Sequence, residues 1–188
     1  MRADAQRNYD RIVEAAREVF KEKGYDAPLD EIAKKAGVGP GTLYRHFPNR
    51  DALIDAMMKA WVEKVDDATD KAIAHEGSPR DVLLSWFETY VELISAHKGG
   101  PAKLTSAIGN DESPIRTKCQ ALVRSNQRVL EHLAAGGALR PDVDEVQLAR
   151  LVGGVATVAD QSDLSTAAVR PLLEVLADGV LRPTTALA

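Results

Sequence analysis

Residues 29–47 read LDEIAKKAGVGPGTLYRHF, and they constrain the fold more tightly than any other stretch of this chain. After Pro28, the apolar positions Leu29, Ile32, Ala33 and Ala36 recur at helical spacing and stop at Gly37. A second short helix is predicted between Pro40 and Phe47. Two helices this short must cross closely to bury anything. Ala33 supplies the small residue at the crossing, and Gly37 supplies a turn position tolerant of unusual backbone angles. Ile32, Val38 and Leu43 then point toward a third, preceding helix. The opposite face of the second helix carries Pro40, Thr42, Tyr44, Arg45 and His46. Hydroxyls, an imidazole and a guanidinium on one exposed face suit phosphate oxygens and base edges in a major groove.

The rest of the chain reads as helices too, so an all-α protein of about nine helices is expected. Asp4 can cap a first helix with Tyr9, Ile12, Val13, Ala16, Val19 and Phe20 inward, ending at Gly24. Pro48 and Asn49 break the chain before a long helix over residues 50–75, striped by Leu53, Ile54, Met57, Met58, Trp61, Val62 and Val65. Ser78, Pro79 and Asp81 form a start signal for a helix bearing Trp86, Phe87 and Tyr90, which ends at Gly99-Gly100. A short helix over 101–108 follows, and Ser113-Pro114 opens another that runs to Gly136-Gly137. Asp142 with Glu145 predicts a helix over 143–160, and a last helix covers 166–182. Pro171 falls inside it, which predicts a late start or a kink. The expected seam divides residues 1–48 from 49–188.

The segment IAKKAGVGPGTLYRHFPNRDALIDAM, Ile32 to Met57, resembles the DNA-binding signature of the TetR family of transcriptional regulators. The resemblance implies that Pro40, Thr42 and Arg45 face the groove floor, with Gly39 at the entrance to that helix. It implies that Tyr44 and His46 grip the phosphate backbone. Arg50, where the family usually has lysine, is implied to meet phosphate from the start of the fourth helix. Two departures weaken the pattern. Pro28 replaces the usual Thr or Ser cap of the second helix, and Gly39 replaces a common serine.

For the remainder, the resemblance implies a ligand-responsive, dimerising body. Candidate pocket residues are Met57, Met58, Trp61, Trp86, Phe87, Tyr90 and Asn126, with His97, Thr105, Ser106 and Asn110 as further polar candidates. The same Met and aromatic stripes also suit plain core. Candidate dimer residues are Val152, Gly153, Gly154, Ala156, Leu172 and Leu176, the glycine pair allowing close helix approach; a hairpin buried within one chain is the competing reading.

Charge distribution is compatible with a DNA reader. Residues 1–50 hold ten Lys/Arg against eight Asp/Glu, whereas residues 51–188 hold 14 against 20. The single cysteine, Cys119, excludes an internal disulfide framework and reads as a small buried hydrophobe. No apolar run is long enough for a membrane span and the first residues lack a signal-peptide centre, so a cytoplasmic protein is expected. Four scattered histidines, no nucleophile-base pairing and no Gly-rich phosphate loop argue against an enzyme, a metal site or a cofactor. The expected function is a homodimeric regulator on a double-stranded DNA operator, a repressor released by a small-molecule effector. The alternative is control by a protein partner, or by no small molecule.

Overall fold

A computed structural model describes residues 2–96 and 98–182. Among these there are nine helices: α1 (Arg2–Lys23), α2 (Leu29–Ala36), α3 (Pro40–His46), α4 (Arg50–Ile73), α5 (Pro79–Ile94), α6 (Gly100–Ser106), α7 (Arg116–Ala135), α8 (Glu145–Gln161) and α9 (Thr166–Val180). The only extended pairing among them is one antiparallel bridge, Leu139 to Leu181. None of these helices is long and apolar enough to cross a membrane. The chain forms two compact units, Met1–Ala60 and Trp61–Ala188, so the division falls within α4. The expected seam lay at the start of α4. Its first turns are instead tied to the first unit: Arg17 donates to the Met57 carbonyl at 3.4 Å, and Arg50 reaches the α1–α2 loop.

In the first unit, Ile12, Ala16, Ile32, Ala33, Leu43 and Phe47 are buried, as the helical periodicity of the three segments requires. Fully burying a side chain such as Ile32 or Leu43 contributes roughly 1.5–3 kcal/mol. Gly37 ends α2 in the left-handed region at φ 64°, its N–H capping the Ala33 and Lys34 carbonyls. Val38 N–H also returns to the Ala33 carbonyl at 3.0 Å. That double closure turns the chain sharply into α3.

In the second unit, α5 starts as predicted. Ser78 Oγ accepts from the Asp81 N–H, and the Asp81 carboxylate accepts from the Ser78 N–H at 2.9 Å. Hydrogen bonds from the Ser78 hydroxyl and N–H hold the Asp81 carboxyl below the usual carboxylate range. The start of α8 differs from expectation. Asp144 with Gln147 forms its capping box, while Asp142 is paired with Arg140 at 2.6 Å. Likewise, α7 begins at Arg116 without a side-chain cap, after a turn closed by Arg116 N–H on the Ser113 carbonyl at 3.0 Å. The late start does not occur at Pro171: α9 begins five residues before it and continues through it. Ion pairs from both ends of α9 hold it to α5, Arg80 with Asp178 at 2.6 Å and Arg170 with Glu88 at 2.7 Å.

Candidate nucleic-acid interface

The α2–turn–α3 segment presents one polar face. Leu43 is fully buried and Phe47 nearly so, and this anchors α3 by its inner side. The outer side then has to meet solvent. Gly39, Pro40 and Arg45 are exposed, Thr42 and His46 are half-buried, and the Tyr44 ring is 48% exposed. A phenol that open has not been used as core, which separates Tyr44 from Phe47 three residues on. His46 is oriented by aromatic neighbours, edge-on to Tyr9 at 6.4 Å between ring centroids. Arg45 lies along its own helix, donating from Nε to the Gly41 carbonyl at 3.1 Å and from Nη2 to Thr42 Oγ1 at 3.2 Å. Exposed bonds of this kind exchange readily with water or with a base edge.

Cations elsewhere in the first unit are largely occupied. Lys23 pairs with Glu31 at 2.5 Å, Lys35 with Glu18 at 2.6 Å, and Arg7 with Asp4. Arg45 and Lys34 have no carboxylate partner among the described residues, so their charge remains available to an anion. Pro28 makes no side-chain cap at α2, and Gly39 makes none at α3.

Arg50 is placed differently from the phosphate contact that resemblance implied. Its guanidinium is part-buried, with Nη1 donating to the Tyr25 carbonyl at 2.5 Å and the Ala27 carbonyl at 2.7 Å. It also lies over the Phe20 ring at 5.8 Å. Arg50 therefore fastens the α1–α2 loop, and nothing in the sequence signals this inward reach.

The candidate pocket residues fall in both compact units. Met57 and Met58 belong to the first unit, the others to the second. Trp86, Phe87, Tyr90 and Asn126 are packed core. Trp86 Nε1 donates to Asn126 Oδ1 at 2.8 Å, and Asn126 Nδ2 to the Glu145 carbonyl at 3.0 Å. Tyr90 Oη donates to the Ala149 carbonyl at 3.5 Å, and burial pushes its pKa upward. Trp61 is half-buried, its Nε1 bonded to the Leu93 carbonyl at 3.3 Å and Lys118 Nζ 4.9 Å above its ring. Among the further polar candidates, Thr105, Ser106 and Asn110 bond to nearby backbone, and His97 lies outside the described residues. Cys119 is buried, and burial raises its thiol pKa, as suits an inert core residue. A cavity of about 680 Å3 opens within the second unit between α5, α8 and α9.

The candidate dimer residues also separate. Val152, Gly153 and Ala156 are buried within the chain, which removes them from any surface. A Cβ on Gly153 would sit 3.2 Å from Thr105 Cβ, so the close approach allowed by this glycine is to α6 of the same chain. Gly154 faces open space. Beside it an apolar stripe is left outward, with Leu151 and Val158 about half exposed, Leu172 41% and Val175 74% exposed. Leu176 is half-buried at its edge.

A buried tripod carrying a polar second helix, joined to an α-helical body, defines a helix-turn-helix DNA-binding regulator. The profile described as "Bacterial regulatory proteins, tetR family" matches residues 12–57, and "Transcriptional regulator SbtR-like, C-terminal domain" matches residues 78–183. The chain belongs to the TetR family of transcriptional regulators. The crystal structure of a TetR regulator from Streptomyces coelicolor is 32% identical, covering 94% of this chain and 99% of that one, at a TM-score of 0.55. The regulator UidR of Escherichia coli is 44% identical over 59 residues, which span only 31% of this chain and 30% of UidR. A Bacillus subtilis FadR structure in complex with stearoyl-CoA shares the fold at a TM-score of 0.66 and 22% identity, covering 92% of this chain and 99% of that one.

Proposed function

We propose that the chain is a homodimeric, cytoplasmic repressor that leaves a pseudo-palindromic operator when a small molecule binds its second unit. The observation that carries this reading is the outward apolar stripe of Leu151, Val158, Leu172 and Val175. Side chains of that size on two adjacent helices favour burial against a second copy. A two-fold dimer of this kind sets two α3 helices about 34–36 Å apart, in successive major grooves. Pro40, Thr42 and Arg45 read bases, while Tyr44 and His46 hold phosphate. Release follows if the ligand prefers a body conformation that misplaces the two readers. Helix α4, with residues in both units, is the covalent route between them. The stearoyl-CoA complex of a fold neighbour supports a ligand-responsive body.

The alternative, control by a protein partner or by no small molecule, draws support from the closed packing of Trp86, Tyr90 and Asn126. Selection of bound sequences from random DNA tests the first step, and an inverted repeat is expected. Fluorescence anisotropy of that operator complex, titrated with a metabolite panel that includes stearoyl-CoA, tests the second. No change in affinity across the panel favours the alternative.

A further inference from the structure

The turn between α2 and α3 closes its donors internally. Gly37 N–H returns to the Ala33 and Lys34 carbonyls, and Val38 N–H to the Ala33 carbonyl at 3.0 Å. The Gly37 carbonyl is closed from outside. Among the described residues no backbone N–H reaches it, and it accepts instead from Arg11 Nη2 at 3.3 Å, 26 residues earlier on α1. The Gly37 carbonyl and the Val38 N–H belong to one planar peptide unit. That unit is therefore gripped at both ends, by Ala33 of α2 and by Arg11 of α1.

A glycine at the turn makes the second grip useful. Gly37 sits at φ 64°, and without a Cβ its torsions are freer than those of any other residue. The guanidinium occupies the space a side chain would take: a Cβ at position 37 would run into Arg11 Nη2. Helix α3 begins at Pro40, two residues beyond the gripped peptide, so a rotation there swings Pro40, Thr42 and Arg45 together. From these contacts we infer that Arg11 is a positioning residue for DNA reading, which fixes the angle of α3 without touching a base. The competing role for an exposed arginine is a direct phosphate contact, and the two roles differ in what they change. A phosphate contact supports every DNA sequence alike, whereas a fixed α3 supports the sequence its side chains match.

Arg11 in this role depends on α3 as the groove reader, so the first readout needs no DNA. Arg11→Met keeps the aliphatic stem and removes the donors. Arg11→Gln, too short to reach Gly37, repeats the comparison with a polar side chain. Both are expected to melt as wild type does, since Arg11 is exposed. In hydrogen exchange of the free full chain, read by NMR, the Val38 amide should exchange about fivefold faster, the scale of one lost hydrogen bond. The Ala36 amide, inside α2, should be unchanged. Fluorescence anisotropy then compares the sequence that wild type selects from random DNA with a scrambled duplex of equal length. The variants should bind the selected sequence about fivefold more weakly, again one hydrogen bond, and the scrambled duplex as wild type does. The salt dependence should not change. Equal weakening on both duplexes, with the salt slope lowered by about one, marks a phosphate contact and overturns the assignment. Unchanged Val38 exchange, or unchanged affinity for the selected sequence, overturns it as well. Faster Val38 exchange in a chain whose wild type selects no sequence retains the clamp and overturns α3 as a groove reader.

Discussion

At the scale of single residues, Arg45 and Arg50 carry the same charge but different work. Arg45 is exposed and has no carboxylate partner among the described residues; Arg50 fastens the Tyr25 and Ala27 carbonyls. Arg45→Ala is therefore expected to leave the thermal transition unchanged and to relax base preference at one operator position, as read by selection from random DNA. Arg50→Ala is expected to destabilise the chain by about 2 kcal/mol, read by urea denaturation, since hydrogen bonds to a charged donor are lost. Asp81 gives a pH signature. Its carboxyl titrates below the usual range because Ser78 hydrogen-bonds the ionised form. The stabilisation it adds is complete above the unfolded value of about 4 and is lost as pH falls through the lower folded value. The stability difference between wild type and Asp81→Ala should shrink between neutral and strongly acidic pH in thermal melts. The polar face of α3 was legible from residue types because short-range periodicity decides which side of α3 faces out. The inward turn of Arg50 was not, because its carbonyl partners lie 23 and 25 residues away.

At the scale of elements, caps and glycines had mixed legibility. Ser78 with Asp81 is a local code and was read correctly, whereas Asp142 and Asp144 both offer an acidic cap and only the Arg140 pairing separates them. The Gly153-Gly154 pair shows the same limit. The sequence marks a close approach without stating which glycine makes it or to what. In the fold Gly153 meets Thr105 of α6, and Gly154 meets nothing within 4 Å. Gly153→Ala is accordingly expected to cost about 1–3 kcal/mol through overpacking, whereas Gly154→Ala should be neutral or mildly stabilising. Chemical denaturation of the two variants checks this, and Thr105→Ala should recover part of the loss in Gly153→Ala. The helix through Pro171 survives because flanking contacts hold it, including Arg170 on Glu88 one residue before and buried Leu173 two residues after.

At the scale of the whole molecule, the proposed dimer rests on the exposed apolar side chains of α8 and α9. Val175→Glu places a charge on the most exposed of them. The expected result is a shift toward monomer in analytical ultracentrifugation. With it should come roughly a hundredfold loss of operator affinity, because two linked half-site contacts become one. An unchanged dimer would place the interface elsewhere. The sequence alone determined an all-α chain, a helix-turn-helix near its start and the polar face of α3, since helical periodicity, a glycine turn and residue chemistry all act within a few neighbours. Only the tertiary structure decided that Trp86, Tyr90 and Asn126 close into core, that Val152, Gly153 and Ala156 are buried within the chain, and that the cavity opens beside α9. Those outcomes depend on which helices meet. Burial and hydrogen-bond satisfaction across helices far apart in the chain are set by packing and cannot be read from local spacing.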